Sequence, residues 1–193
     1  MRKIVFDIET KNIFQDVGSR NPEDLDISVV GLYDFETNKY QTFLQEEFEA
    51  MWEIFKKTDL MITFNGEYFD IPLLNKYYRK AGLGDLKQIR SLDIFKEIKQ
   101  TSGRWLKLDK IAMGTFGINK SGDGFDAVKW WNEGKVEEIK KYCLDDVKIT
   151  KDVYEFAMKN KKLIFKEGPF TKEIKLDTKH WEPVPEVKTQ SLF

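Results

Sequence analysis

The sequence contains very little cysteine and histidine. Cys143 and His180 are the only residues of their types in a chain of 193. A single cysteine cannot form an internal disulfide, and it cannot supply a zinc site that is built on several thiolates. The sequence therefore excludes a disulfide-stapled domain and a cysteine-rich zinc module.

Long hydrophobic runs are also missing, because no uninterrupted run of hydrophobic residues exceeds three. This excludes a transmembrane helix and the apolar core of a signal peptide. We therefore expect no membrane partner and a cytoplasmic location. With 41% hydrophobic and 34% charged residues, the composition predicts one folded domain with its own core rather than a disordered chain.

The chain has little net charge, but the charges are unevenly distributed. Residues 76–110 contain ten Lys and Arg against four Asp and Glu, whereas residues 34–59 contain three against seven. A basic stretch beside acidic groups is typical of an enzyme that draws polyphosphate towards metal-binding carboxylates. The alternative is a pair of solvated helix faces, and charge alone favours that alternative.

Periodicity predicts an α/β fold. Residues 3–9 alternate, with Ile4 and Phe6 on one face and Val5 on the other, and predict a strand. Further strands are predicted at residues 27–35, 39–44, 60–64 and 88–92. Apolar spacing predicts helices at residues 46–57, 70–81 and 136–162, with several short helices between 94 and 131. We expect the first three strands to form an antiparallel meander within a mixed five-stranded sheet that carries helices on both faces. We assign residues 1–162 to this domain and residues 163–193 to an extension that contains a hairpin and then a flexible tail.

Asp7 and Glu9 lie two residues apart on the first predicted strand. Their side chains therefore leave the same face of the strand. Two adjacent carboxylates repel unless a partner neutralises them, and oxygen ligands favour Mg²⁺ or Mn²⁺. The alternative is an exposed strand end with solvated acids.

Asp70 begins a predicted helix directly after the fourth strand, in the segment NGEYFDIP. An acid beyond the end of a strand lies where open α/β sheets bind ligands. The alternative interpretation is a helix cap that interacts only with the helix dipole.

Tyr142 and Asp146 lie four residues apart on the last predicted helix and are neighbours on its surface. Asp146 falls about 60° from Cys143 around the helix. It therefore lies at the edge of the predicted apolar stripe. An amphipathic helix with a tyrosine at its boundary would show the same pattern.

The three segments FDIET, NGEYFD and YCLDD occur in this order along the chain. Together they resemble the motifs of the DEDD (DnaQ-like) 3′–5′ exonuclease superfamily. The resemblance is to the tyrosine branch, which includes the proofreading domain of family B DNA polymerases. The histidine branch would require a histidine where Lys141 stands, and His180 is interpreted as a surface residue of the tail.

The resemblance implies a ribonuclease H-like fold and two divalent cations, Mg²⁺ or Mn²⁺. By similarity, Asp7 contacts both ions, Glu9 and Asp146 hold the ion that carries the nucleophile, and Asp70 supports the second. Tyr142 would orient the attacking water through its hydroxyl, which is too weak a base at neutral pH to do more.

The resemblance also implies that Thr10, Asn65 and Phe69 contact the terminal nucleotides of a single-stranded DNA or RNA 3′ end. A ring such as that of Phe69 offers a stacking surface that accepts any base. Packing in the core is the alternative for this side chain.

The leading hypothesis is a metal-dependent 3′–5′ exonuclease. The alternatives are a structure-directed endonuclease of the same fold and a non-catalytic nucleic-acid-binding module. The ending TQSLF resembles clamp-binding peptides, which would place a sliding clamp on Leu192 and Phe193, although a frayed tail is the favoured interpretation. No helicase or polymerase partner can be identified from the sequence.

Overall fold

A computed structural model describes residues 1–118 and 124–182 of the chain. The strands are β1 (Lys3–Thr10), β2 (Ile27–Asp34), β3 (Lys39–Phe43), β4 (Leu60–Thr63), β5 (Arg90–Asp93), β6 (Lys162–Glu167) and β7 (Phe170–Lys175). The α-helices are α1 (Phe14–Val17), α2 (Phe48–Phe55), α3 (Asp70–Lys80), α4 (Ile94–Ser102), α5 (Leu108–Phe116), α6 (Gly124–Asn132) and α7 (Val136–Asn160).

Five of the strands form one mixed sheet in the order β3-β2-β1-β4-β5. β2 is antiparallel to both β1 and β3, whereas β4 is parallel to β1 and β5 is parallel to β4. The predicted mixed five-stranded sheet is therefore confirmed. Because β1, β4 and β5 run in the same direction, their carboxyl ends meet at one edge of the sheet.

Helices cover both faces of this sheet, as the alternation in β1 predicts. Ile4 and Phe6 are buried in a core that includes residues of α2 and α3, where the rings of Phe6 and Phe55 meet edge to face at 5.4 Å. Val5 points to the opposite face and packs in a second core with residues of α4, α5 and α7. The acidic residues of β1 share this second face, so their side chains point towards α7.

The close approach of α7 to the sheet depends on Gly31 of β2. A Cβ atom at this position would lie only 2.8 Å from the Sγ atom of Cys143 and 3.1 Å from Val147 Cγ2. Gly31 also pairs directly with Asp7 in the β1–β2 register. A glycine here therefore lets α7 reach the acidic part of β1. The helix ends at Asn160, two residues before its predicted end, because Lys161 adopts a left-handed conformation with φ of 57°.

The hairpin of β6 and β7 packs against the rest of the chain. Gly114 of α5 lies so close to β6 that a Cβ atom would come within 2.3 Å of Phe165 Cα. After the hairpin, Trp181 is buried and its ring stacks on Tyr154 at 6.2 Å between centroids. The predicted flexible tail and clamp-binding ending, with Leu192 and Phe193, lie outside the described residues.

None of the helices within the described residues is long and apolar enough to span a membrane.

Candidate active site

Three carboxylates meet where β1 and α7 come together. Asp7 and Glu9 project from the same face of β1, and Asp146 projects from α7. One ligand oxygen from each residue lies within 4.8 Å of the others. Glu9 and Asp146 are buried and Asp7 is half-buried. The structure thus brings together acids that are almost 140 positions apart in the sequence.

The thiol of Cys143 lies beside this cluster, one helical turn before Asp146. It donates a hydrogen bond to the backbone oxygen of Asp7 at 3.4 Å and lies 3.7 Å from the Asp7 carboxylate. Burial, together with the charges of Asp7 and Glu9, raises the pKa of Cys143 well above its usual value. The sulfur therefore remains a neutral thiol, and the donors offered to a cation are carboxylate oxygens.

Asp70, the fourth acid of the sequence motifs, lies at the first turn of α3. It is buried, with 5% of its surface exposed, and the backbone amide of Ile8 donates to it. It is not one of the three acids whose oxygens lie within 4.8 Å of one another. Burial, with the charges of Asp93 and Asp146, raises the pKa of Asp70 to about 7. Asp70 is therefore coupled electrostatically to the cluster.

A fifth acid, Asp93, is not among the residues that the sequence motifs predict. It lies at the end of β5, is buried and caps α4 by accepting a hydrogen bond from the amide of Phe95 at 3.0 Å. It also accepts from the amides of Asn65 at 2.8 Å and Glu67 at 3.1 Å. Burial raises the pKa of Asp93 in spite of these bonds. Its position after a parallel strand was the signal that identified Asp70 and could have identified Asp93 as well.

This donor set fits a hard divalent cation. Carboxylate oxygens on two elements converge at one point, and the raised pKa of Asp70 shows that more negative charge there is unfavourable. Oxygen-only ligation of this kind favours Mg²⁺ or Mn²⁺ over softer metals. Asp7, Glu9 and Asp146 are the residues that could hold such an ion.

Tyr142 lies on α7, one turn before Asp146. Its ring is buried and meets the ring of Trp130 edge to face at 5.8 Å. Trp130 and Trp131 are partly buried and pack around the same small cluster. The helix thus places Tyr142 and Asp146 on adjacent turns, as their spacing of four residues requires.

The three predicted substrate contacts have different surroundings. Asn65 adopts φ of 70° and lines a cleft beside the acids. Thr10 is buried, and its hydroxyl donates to the backbone oxygen of Asn12 at 2.8 Å. Phe69 is half-buried and its ring lies 6.0 Å from that of Phe14. Among the described residues, the lining of this cleft includes Asn65 but neither Thr10 nor Phe69.

The cleft has a volume of about 1070 Å³ and includes two of the clustered acids in its lining. Its lining residues are Asp7, Phe64, Asn65, Glu67, Tyr68, Asp93, Phe95, Lys96, Lys99, Trp105, Lys107, Leu108 and Asp146. The three lysines belong to the basic stretch of the sequence. The cleft therefore combines an acidic centre with aromatic and cationic walls.

A family model matches the part of the chain that carries this site. The family model described as the RNase H superfamily matches residues 4–158, which is most of the chain. The chain belongs to the RNase H superfamily. No curated protein matches its sequence. The acidic cluster thus lies within the part of the chain that carries the RNase H match.

A solved structure shows the same fold. The family B DNA polymerase of the hyperthermophilic archaeon Pyrobaculum calidifontis matches with a TM-score of 0.65 and 17% identity. The match covers 82% of this chain but only 24% of the polymerase, so this RNase H chain spans about a quarter of that protein's length. The predicted ribonuclease H-like fold is confirmed.

Proposed function

We propose that the chain is a metal-dependent 3′–5′ exonuclease of the tyrosine branch of the DEDD superfamily. It would hydrolyse phosphodiester bonds at single-stranded nucleic-acid 3′ ends, and we assign this activity to residues 1–162. The observation that carries the proposal is the convergence of Asp7, Glu9 and Asp146 within 4.8 Å. Membership of the RNase H superfamily and the likeness to a family B DNA polymerase support it.

Four carboxylates would hold two divalent cations, Mg²⁺ or Mn²⁺. Asp7, Glu9 and Asp146 form the converging set, and Asp70 adds a fourth acid that lies within electrostatic reach of Asp146. Bound cations of this kind supply a nucleophilic water at neutral pH and stabilise the charge of the leaving 3′ oxygen. Because burial favours the protonated form of Asp70, this residue must release its proton before it can act as a ligand.

The remaining residues would orient the reactants. Tyr142 would position the attacking water by hydrogen bonding, since its hydroxyl is not basic at neutral pH. Asn65, which lines the cleft, would contact the terminal nucleotide. Thr10 and Phe69 would also contact the terminal nucleotide. Because the ring of Phe69 packs against that of Phe14, it would have to move away from Phe14 to reach the nucleotide.

The test uses single-stranded DNA and RNA oligonucleotides labelled at the 5′ end, incubated with Mg²⁺, Mn²⁺ or EDTA. We expect a ladder of products that shortens by single nucleotides, and no products in EDTA. A parallel set whose label is at the 3′ end should release labelled mononucleotide first. Internal products from both sets would instead indicate an endonuclease. Binding without cleavage under every metal condition would indicate a non-catalytic module.

A further inference from the structure

Trp105 is the most exposed large hydrophobic side chain among the described residues. Its surface is 70% exposed, whereas Trp181 is 1% exposed. It lies in the loop between α4 and α5, outside the three acidic motifs, and lines the same cleft as Asp7 and Asp146. Leaving an indole ring in water forgoes the large hydrophobic stabilisation that its burial would give. The indole is therefore available to a ligand that enters the cleft.

The Trp105 ring is held in place by its neighbours. Phe95 meets it edge to face at 5.6 Å, and Phe64 meets Phe95 in the same way at 5.8 Å. The ammonium group of Lys99 lies 3.5 Å from the centroid of the indole. Such contacts orient an aromatic ring before a ligand arrives, which lowers the entropy lost on binding. The exposed part of the indole is thus a prearranged stacking surface.

The charges around Trp105 suit a polyanion. Lys96, Lys99 and Lys107 line the cleft. Glu67 lies 2.5 Å from the ammonium of Lys96 and offsets its charge, so Lys99 and Lys107 are the lysines that we assign to phosphate. Tyr68, another exposed aromatic residue, also lines it. Rings on which bases can stack, combined with lysines that follow a phosphate backbone, are the recurring features of single-strand binding grooves. A base-paired duplex does not present its base faces to such a ring.

The size of the cleft indicates how much of the strand it accepts. Its volume of about 1070 Å³ exceeds the range of roughly 300–1,000 Å³ that holds one drug-sized ligand. A terminal nucleotide at the acids would therefore leave room in the cleft for further nucleotides. These nucleotides would lie along the wall that Trp105 and the lysines form.

We propose that Trp105 is a base-stacking residue of a second subsite, which holds the single strand 5′ of the bond to be cleaved. This assignment rests on the proposed function, because that function places the 3′ end at the acidic cluster. Trp105 and the flanking lysines then select single strands and favour oligonucleotides over short fragments. The residue contributes to substrate affinity and not to the chemical step.

The test measures the binding of a fluorescein-labelled ten-nucleotide oligo(dT), and of the matching oligo(U), in EDTA. The variants are Trp105→Ala, Trp105→Phe and Phe170→Ala. Phe170 is a matched control because it is 67% exposed and lies at the hairpin turn, away from the cleft lining. Loss of one stacked base should raise Kd at least about fivefold in Trp105→Ala. Trp105→Phe should recover most of that loss, and Phe170→Ala should bind like the wild type.

Two further measurements separate stacking from charge. The Lys107→Ala variant should reduce the slope of log Kd against log salt by about 0.7 for every phosphate that the missing ammonium group neutralised. The Trp105→Phe variant should keep the wild-type salt slope. The oligonucleotide should quench the tryptophan fluorescence of this variant less than that of the wild type. A Kd for Trp105→Ala equal to that of the wild type would overturn the proposal. So would failure of the wild type to bind either oligonucleotide.

Failure of this inference can be told apart from failure of the proposed function. Cleavage of oligonucleotides with a KM that is indifferent to Trp105→Ala would reject the stacking subsite and retain the exonuclease. Trp105-dependent binding by a chain that cleaves nothing in Mg²⁺ or Mn²⁺ would reject the exonuclease and retain a single-strand binding cleft. For an active enzyme, we expect Trp105→Ala to raise KM for a ten-nucleotide substrate with little change in kcat.

Discussion

Acidic side chains have different neighbours at the two ends of β1. At the amino-terminal end, the guanidinium of Arg2 lies 2.6 Å from Asp34, and the ammonium of Lys3 lies 2.5 Å from Glu182. Burial alone would raise the pKa of Asp34, but hydrogen bonds from Arg2 and the Glu36 amide lower it overall. Each acid at this end has a basic residue of the chain beside it.

At the carboxyl-terminal end, acids face acids. Asp7, Glu9 and Asp146 bring their oxygens within 4.8 Å of one another, and burial raises the pKa of Asp70 nearby. A chain optimised only for stability would not gather carboxylates in this way. The contrast shows that acids pair with basic residues at one end of the strand, whereas carboxylates gather close to one another at the other end, as a cation site requires.

Replacing Asp7 should have the largest effect on activity. We expect Asp7→Ala to reduce nuclease turnover at least about 10³-fold, the equivalent of roughly 4 kcal/mol, because one of the three converging carboxylates is lost. The variant should remain folded in EDTA. Initial rates on a labelled oligonucleotide and thermal unfolding in EDTA provide the two measurements.

Asp145→Ala is the matched control for this variant. Asp145 lies on α7 beside Asp146 but outside the group of converging oxygens. Its removal should leave the rate within a factor of about two, as is usual for substitutions outside functional features. Near-normal turnover in Asp7→Ala, or an equal loss in Asp145→Ala, would contradict the proposed centre.

Removing the buried ion pair at the amino-terminal end of β1 should lower thermal stability and leave nuclease activity unchanged. Asp34 is buried and is one of the two carboxylates that pair with the Arg2 guanidinium among the described residues. The other, Glu36, is mostly exposed and lies 3.0 Å away. Loss of one partner of a buried pair in Asp34→Ala costs about 3 kcal/mol, which corresponds to a fall in Tm of about 6–12 °C for a chain of this size. Glu36→Ala should lower Tm by less than about 2 °C. Equal losses in both variants would show that burial is not what distinguishes the two pairs.

The dependence of the free energy of unfolding on pH should reveal the raised pKa of Asp70, near the acidic end of β1. The pKa of Asp70 is raised from 3.8 to about 7 in the folded state. The folded protein therefore holds a proton that the unfolded chain releases near pH 4. The stabilisation linked to Asp70 is complete below that pH and is lost as the pH rises through about 7.

The Asp70→Asn variant isolates this contribution, because asparagine cannot ionise. In EDTA at pH 8 the variant should have a Tm at least about 4 °C above that of the wild type, and at pH 4 the two should agree. With Mg²⁺ at pH 8 the order should reverse, because the wild type retains the carboxylate ligand. A Tm difference that is the same at both pH values would contradict the raised pKa.

Most of the fold could be predicted because its elements have clear periodicity. Alternation along β1 assigned Ile4 and Phe6 to one face and Val5 to the other, and the structure has the same arrangement. The exact element ends were harder, since they depend on local conformations such as the left-handed Lys161. The close packing of α7 on Gly31 could not be predicted either, because a lone glycine in a strand gives no sign of what lies opposite.

The candidate site could be predicted only as far as local motifs extend. The spacing of two placed Asp7 and Glu9 on one face of β1, and the helical period placed Asp146 at the edge of the apolar stripe of α7. Asp93 carries the same signal as Asp70, a place at the end of a predicted strand, whereas Trp105 carries none, because its exposure inside a cleft depends on what surrounds it in space. Asp93 receives amide hydrogen bonds from a loop near residue 65, and Trp105 is significant because it is exposed inside a cleft.

The smallest effect is expected from Tyr142, which lies on α7 one turn before Asp146. Tyr142→Phe keeps the buried ring and its packing on Trp130, which lies 5.8 Å away, and removes only the hydroxyl. Because the proposed role of that hydroxyl is to orient water rather than to accept its proton, kcat should fall about tenfold, or roughly 1.4 kcal/mol, with Tm unchanged within about 2 °C. Trp130→Phe is the control for packing, since it alters the ring packing but keeps the hydroxyl. An unchanged kcat in Tyr142→Phe, or an equal fall in Trp130→Phe, would make Tyr142 a packing residue and restrict the catalytic groups to the acids.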